Sequence, residues 1–497
     1  MSKSGYILSI DQGTTSSRAL IITDNGQILS QKSFEFKQYY PENGWVEHDP
    51  IEIFETTLNA IKSVINESKI DASDIAIAGI ANQRETVVAW DKTTGKPVYN
   101  AIVWQDRRTE KFCDQLRKEN HSEKIRTKTG LVIDPYFSAT KIKWILENVT
   151  EAKSLLDNNN LFVGTIDTWL IWKLTKGSSH FTDATNASRT MLFNVATDMW
   201  DEELLKIFNI PLEILPEVRN SIDDFGSIDK TFFGSKISIG GVAGDQQAAS
   251  FGQLCFEQGM IKSTYGTGCF MLMNTGNKML ISESNLLSTI AYKMNSKKRF
   301  ALEGSIFNAG TVVQWMRDEL NFFEKASEVE QLAEKSNNNI YFVPAFTGLG
   351  APYWRSDLRG SIQGITRDTS KADIALAALK SICFQTKDLF CCLLKDIESN
   401  DSDFVMRVDG GMSRNNLMMQ YLSDILGINI ERPINQESTA TGVAYLAGLQ
   451  AGIYKDIADL KELWKTDQIF EPKMSQEEAN LEYEGWTKII NNLINNG

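Results

Sequence analysis

An α/β chain built from two similar halves is the fold class that this sequence predicts, and three observations predict it. A Gly- and Thr-rich hairpin tip between apolar, strand-like runs occurs near the start, at Asp11–Arg18 (DQGTTSSR), and again past the middle, at Tyr265–Gly268 (YGTG). Strands of this kind alternate with helical patterns in both halves, the mark of an α/β arrangement. At 497 residues the chain is too long for one core, so two or three domains are expected.

The elements follow in order. Tyr6–Ile10 (YILSI), Ala19–Ile22 and the run ILSQKSFEF from Ile28 read as a β-meander, divided by the Asp11–Arg18 loop and by the turn signal Asp24-Asn25-Gly26. Over Pro50–Glu67 the spacing predicts a helix with Ile51, Phe54, Leu58, Ile61 and Ile65 on one face, and Ile75–Asn82 then reads as a buried strand. Ile237–Gly244 is an apolar strand ending at Asp245, and Met260–Gly276 reads as strand, tight turn, strand. Asp403–Asn416 is a strand running into the Gly410-Gly411 turn, with a helix expected from near Ser413 to near Gly427. Backbone amides and a helix N-terminus beside such a turn suit part of a nucleotide. The boundary is placed near Phe251–Glu257, giving domains 1–252 and 253–497, with no low-complexity linker and no disordered tail beyond Asn491–Gly497.

Composition narrows the function. A formal net charge of -13 argues against nucleic acid or an anionic membrane as the main partner. No run is apolar enough to span a bilayer, and Asp11 cuts short the N-terminal apolar run, so neither a membrane span nor a signal peptide is expected. The 6 Cys include no CxxC pair and read as reduced thiols of a cytoplasmic protein. The 3 His show no metal-ligand spacing, which disfavours a zinc enzyme or a His-dependent hydrolase.

The first hairpin carries phosphate chemistry. Gly13 permits close backbone approach, Thr14, Thr15 and Ser16 offer hydroxyls and amides, Arg18 a planar fork, and Asp11 a carboxylate for a metal ion or its waters. An ordinary polar hairpin would use the same residues. Neither GxxxxGK[ST] nor GxGxxG occurs, so a nucleotide would have to bind between two hairpin-bearing domains. Asp245 ends a strand in a Gly-rich turn, where a side chain can enter a cleft or cap the helix that begins with QQAAS.

Taken together, DQGTTSSR, NQRET (Asn82–Thr86), WQDRR (Trp104–Arg108), AGDQQAA, TYGTGCF and DGGMSRN resemble the FGGY carbohydrate kinases, and among them the members that phosphorylate glycerol. YFSATKIKWIL (Tyr136–Leu146) and GSIQGITRD (Gly360–Asp368) resemble that family's two signatures, and the resemblance runs through nearly the whole chain. It implies two actin-like (ribonuclease H-like) ATPase domains with a nucleotide cleft between them.

The resemblance also implies a reaction and a site. The γ-phosphoryl group of ATP, with Mg2+, would pass to a primary hydroxyl of glycerol, with Asp245 accepting the proton. Arg84, Glu85, Tyr136, Asp245 and Gln246 would bind the hydroxyls, and Trp104 and Phe270 would line the carbon chain. Thr14, Thr15, Ser16 and Arg18 would hold phosphates from one side and Thr267 from the other. Gly310 and Gln314 would flank the nucleoside, Gly411 and Asn415 would hold the adenosine end, and Asp11 would hold Mg2+ through water. The role of Asp409 stays open. A homodimer or homotetramer is expected.

Two departures bear on control. The stretch Asp229–Gly240 is short where some relatives carry a basic loop for fructose 1,6-bisphosphate, and Phe232 and Phe233 stand where others carry a phosphorylatable His. Neither control is expected here. Another polyol or a pentulose as substrate, or a non-catalytic ATP-binding switch, remain the alternatives.

Overall fold

The computed structural model describes residues 5–355, 357–397 and 404–496. Asp403, the predicted start of a strand, and Gly497 lie outside the described residues, and the rest of the tail expected to be disordered, Asn491–Asn496, is instead the end of the helix Gln476–Asn496.

The predicted meander forms as β1 (Tyr6–Gln12), β2 (Ser16–Ile22) and β3 (Ile28–Glu35). The predicted loop Asp11–Arg18 is shorter than the sequence suggested. Its flanks are strand, Asp11 pairs directly opposite Arg18, and only Gly13, Thr14 and Thr15 form the tip. The cross-strand attraction of Asp11 for Arg18 carries pairing past the last apolar residue. Helix α1 (Pro50–Ser68) follows, capped by Asp49, whose carboxylate accepts from the Ile51 amide at 2.8 Å. Its buried stripe runs through Ile53, Thr57, Ala60 and Val64, with Phe54 and Ile61 beside it; the predicted Ile51, Leu58 and Ile65 lie on the flank. Small Thr57 and Ala60 at the centre let the helix lie close to β2 and β3.

Both large sheets share one topology. In the first, the order β3, β2, β1, Ile75–Asn82, Ile237–Gly244 has two antiparallel pairings followed by two parallel ones. In the second, Lys297–Ile306, Cys269–Gly276, Ile261–Tyr265, Val405–Asp409 and Asn429–Pro433 repeat that order and those directions. The repeat read in the sequence as two hairpin tips is therefore a repeat of a whole five-stranded unit. The first sheet gains one short edge strand, Ser227–Ile228, beside Ile237–Gly244, and the second gains an edge strand on each side, Leu287–Met294 and Thr466–Phe470.

After the fifth strand of each unit comes a helix, Asp245–Gly252 in the first and Ser438–Ala451 in the second. These two helices pack on each other, and Ser438–Ala451 covers the face of the first sheet. The crossing is tight enough that a Cβ on Gly442 would stand 1.8 Å from the Ala248 carbonyl oxygen. A Cβ on Gly79 would lie 2.3 Å from the Val443 carbonyl oxygen. Glycine is required at both places. Around the crossing Ile7, Ile77, Ala243, Leu272, Val443 and Leu446 form an apolar cluster shared by both units. A smaller four-stranded sheet, Glu47–His48, Ala101–Ile102, Val87–Asp91 and Leu161–Thr165, is inserted in the first half.

The predicted helix at Ser413 begins later. Gly411–Arg414 is a 3-10 turn, and the α-helix runs Asn416–Leu426, capped by Asn415 and closed by Gly427 at φ +73. The Asn415 side chain takes the Met418 amide, which fixes where the helix can start. Among the described residues no helix is long and apolar enough to cross a membrane.

Candidate active site

Parallel pairing places three strand ends side by side: Gln12 and Gly244 both lie opposite Asn82. Asp11, the Arg84-Glu85 pair and Asp245 therefore emerge at one edge of the first sheet, where open α/β sheets bind ligands.

Arg84 is 3% exposed, and protein groups engage its guanidinium on every nitrogen. Glu303, from the second sheet, accepts from Nη1 at 2.6 Å and Nη2 at 3.0 Å. Gln247 and the Tyr136 hydroxyl take the remaining Nη donors at 3.2 and 3.3 Å, and Nε lies 3.3 Å from Asp245 Oδ1. Arg189 closes the ring, donating to Glu85 at 2.6 Å and to Glu303 at 2.9 Å. Burial pushes the Glu85 carboxyl up, against the pull of Arg84 and Arg189. At Glu303 burial acts the same way, but Arg189 and Arg84 overcome it and hold the carboxyl down at about 2. Glu85 stands at φ +59, a left-handed backbone rare for a side chain of that size and of the kind that gathers at functional sites.

Asp245 is not a helix cap. Gly244 occupies that position, and Asp245 opens the first turn. Its Oδ1 accepts from the Gln246 amide at 2.8 Å and its Oδ2 from Gln246 Nε2 at 3.1 Å. The side chain is 29% exposed. Burial raises the carboxyl above its ordinary range, with Arg84 and then Lys262 opposing.

Trp104, Tyr136 and Phe270 come together. Trp104 meets Tyr136 and Phe270 edge-on, with centroids 5.6 and 6.2 Å apart. Lys141, fully buried, donates to the carbonyls of Pro135, Tyr136 and Phe137, fixing the backbone that presents Tyr136. Trp104 Nε1 also donates to Thr14 Oγ1 at 3.0 Å, joining the aromatic wall to the first hairpin. The carbonyls of that hairpin are held by Gln38 and Gln83, and buried His48 braces both amides. Burial pulls His48 down to about 4. At the hairpin's base Arg18 bonds Asp11 at 2.5 Å and reaches Glu437 of the second half. Thr15 is exposed and Ser16 partly so.

The second hairpin has its tip at Gly266–Gly268, between the strands Ile261–Tyr265 and Cys269–Gly276. Gly310 donates to the Gly266 carbonyl at 2.9 Å, and a Cβ there would stand 2.6 Å from that oxygen. Thr267 lies exposed at the tip while its carbonyl takes Ala309 and Thr311 amides, and Gln314 is exposed one helical turn on. Gly410, at φ +85, allows the strand-to-turn passage over Tyr265, beside exposed Gly411. Asn415 spends its oxygen on the helix cap described above. Asp409 is 3% exposed, and its Oδ1 has no hydrogen-bond partner. The second signature segment forms a short strand, Ser361–Gln363, and a polar surface turn.

Residues 6–252 match the N-terminal domain, and residues 261–451 the C-terminal domain, of the FGGY family of carbohydrate kinases. The chain belongs to that family. A glycerol kinase of Marinomonas sp. (strain MWYL1) is 53% identical over 490 residues, covering 98% of this chain and 99% of the relative. A glycerol kinase of Bacillus subtilis (strain 168) is 52% identical and covers 98% of each. Plasmodium falciparum glycerol kinase, solved with ADP, matches with a TM-score of 0.92 at 39% identity over 99% of this chain and 98% of that one. A xylulose kinase from Lactobacillus acidophilus shares the FGGY kinase fold with a TM-score of 0.88 at 24% identity.

Four charged residues of this FGGY kinase cleft escaped the sequence reading: Arg189, Lys262, Glu303 and Glu437. Glu303 and Lys262 each carried a signal. Both are single charges inside strand runs, FALEGSI and IKSTY, and each is fully buried. A charge in that setting is rare unless it is paired.

Proposed function

We propose that this chain is an ATP-dependent kinase of glycerol, forming sn-glycerol 3-phosphate and ADP. One observation carries the reading. The Asp245 carboxylate lies 3.3 Å from Arg84 beside a Trp104–Tyr136–Phe270 wall that is itself bonded to the first hairpin through Thr14. A three-carbon polyol needs several hydrogen-bonding groups and one apolar side, and this cleft offers both. The names of the relatives and the ADP of the Plasmodium structure support the same substrates.

In this reading glycerol hydroxyls enter between Arg84 and its two longer contacts, Tyr136 and Asp245, while the Glu303 fork stays closed. Glu85 and Gln246 complete the hydroxyl contacts, and the carbon chain lies on Trp104 and Phe270. Asp245 takes the proton of the attacking hydroxyl as the O–P bond forms. Its raised pKa makes it a better acceptor, while Arg84 and Lys262 favour the ionised form. Arg18 turns from Asp11 and Glu437 to the phosphates, where Thr14, Thr15, Ser16 and Thr267 donate. Gly310, Gln314, Gly411 and Asn415 border the nucleoside, and closure of the two halves excludes water.

Mg2+ fits the donors present. Among the described residues no group of three or more His, Cys, Asp or Glu could hold a metal ion alone, so the residues suit a cation that keeps its waters and phosphate oxygens. Asp11 would hold its waters, with the free Oδ1 of Asp409 as a further acceptor. Bound there, the ion would offset charge on the phosphate oxygens.

A coupled ADP-release assay over glycerol, other polyols, xylulose and ribulose tests the substrate. Highest kcat/KM on glycerol is expected. Preference for a pentulose would overturn the substrate assignment, and ADP binding without any turnover would favour a switch.

A further inference from the structure

Lys262 lies on the first strand of the second sheet, 0% exposed, with its ammonium buried against Gln246 and Phe270. It donates to Gln246 Oε1 and, at 3.2 Å, to the carbonyl oxygen of Phe270. An ammonium has donors only, and an ionised carboxylate has acceptors only. Gln246 stands between the two. Its oxygen must therefore face Lys262 and its amide nitrogen must face Asp245, where Nε2 donates to Oδ2 at 3.1 Å. The other Asp245 oxygen is fixed by the Gln246 backbone amide at 2.8 Å. We propose that Lys262 is a positioning residue: it locks the orientation of the Gln246 amide, and through it aims the Asp245 carboxylate.

The lock spans both halves of the molecule. Gln246 belongs to the helix that follows the first sheet, whereas Lys262 and Phe270 are paired strands of the second. One ammonium thus joins the base to the aromatic wall. Without it the Gln246 amide is free to turn its oxygen toward Asp245, which puts two acceptors face to face. Loss of a nearby positive charge also disfavours the ionised carboxylate. The groups that face Lys262 are Asp409, Asp245, Cys269 and Arg84; those that face Asp245 are Arg84, Lys262, Gln246 and Asp11. Burial lowers the Lys262 ammonium, and Asp409 and Asp245 draw it back up.

The proposal rests on Asp245 acting as the base, so the experiment separates the two. Turnover of glycerol is measured against pH for the parent enzyme, Asp245→Asn, Lys262→Met, Lys262→Arg, Gln246→Met and the double variant Lys262→Met/Gln246→Met, with ADP affinity measured for each. Lys262→Met should lower kcat about 10- to 100-fold, the worth of a hydrogen bond to a charged group, and move the acid limb of its pH profile upward. Lys262→Arg should recover most of the loss, and ADP affinity should hold throughout. Because Lys262 aims the base through Gln246, the double variant should be no slower than Gln246→Met on the pH-independent plateau above the acid limb. Additive losses in the double variant, or an unmoved acid limb in Lys262→Met, would overturn the role of Lys262. Turnover retained by Asp245→Asn would overturn the base assignment instead. Should Lys262→Met fail to fold, Lys262→Gln enters the same comparison with the same expected losses.

Discussion

Replacing Glu303 by Gln should damage both stability and glycerol binding. The carboxylate accepts three bonds from two buried guanidiniums, at 2.6, 3.0 and 2.9 Å. A Gln side chain keeps one acceptor oxygen and turns an amide NH2 toward an arginine that can only donate. Its carboxyl falls from the ordinary 4.5 to about 2 in the fold, which corresponds to about 3 kcal/mol. Breaking a buried ion pair costs about 3 to 5 kcal/mol, in agreement. The sign is that of a depressed acid. The stabilisation is complete above the unfolded pKa near 4.5 and is lost as pH falls toward about 2. Urea denaturation at neutral pH should therefore show a loss of about 3 kcal/mol in Glu303→Gln, and the loss should shrink in acid. Arg84, released from its fork, should raise the KM for glycerol about 10- to 100-fold with ADP affinity unchanged. A variant within about 0.5 kcal/mol of the parent, with unchanged KM, would refute the claim that Glu303 anchors Arg84.

Other substitutions probe other parts. Asp245→Asn should abolish turnover yet modestly stabilise the protein at neutral pH, because a raised carboxylate pKa opposes folding once the group ionises; that gain should vanish below the ordinary carboxylate pKa in a thermal-melt series. His48 resists protonation until about pH 4, whereas its unfolded form takes a proton below about 6.5, so stability should fall by up to about 3 kcal/mol as pH drops through that window. His48→Gln should flatten the fall, read from denaturation midpoints. Gly442→Ala places a Cβ 1.8 Å from a backbone oxygen of the facing helix and should cost about 1 to 3 kcal/mol or more while weakening glycerol binding, since Glu303 and Arg84 lie on opposite halves.

The sequence showed the sheets well and the ion network poorly, for a physical reason. Strands such as Ile75–Asn82 and Ile237–Gly244 are continuous apolar runs buried on both faces, so their ends could be read to the residue. Asp245 was legible from the Gly-rich turn at one such end, whereas Arg84 and Glu85, beyond the other, were marked by the family resemblance. Glu303, Arg189 and Lys262 reach it through long-range folding: Glu303 is 219 residues from Arg84. Periodicity holds no record of such a meeting. The edges of elements failed where polar residues decide them. Asp11 and Arg18 extended a hairpin that apolar residues alone would have ended, and the Asn415 cap delayed a helix that glycine seemed to open.

The central claim is that Asp245 drives phosphoryl transfer from ATP to a terminal hydroxyl of glycerol. Phosphorus NMR of the products from ATP and glycerol tests it most directly, run on the parent enzyme and on Asp245→Asn under saturating ATP. The expected result is a single phosphomonoester, glycerol 3-phosphate, accumulating with ADP for the parent and none for the variant, both proteins binding ADP alike. A product spectrum lacking that phosphomonoester for the parent, or showing it at a similar rate for Asp245→Asn, would contradict the claim.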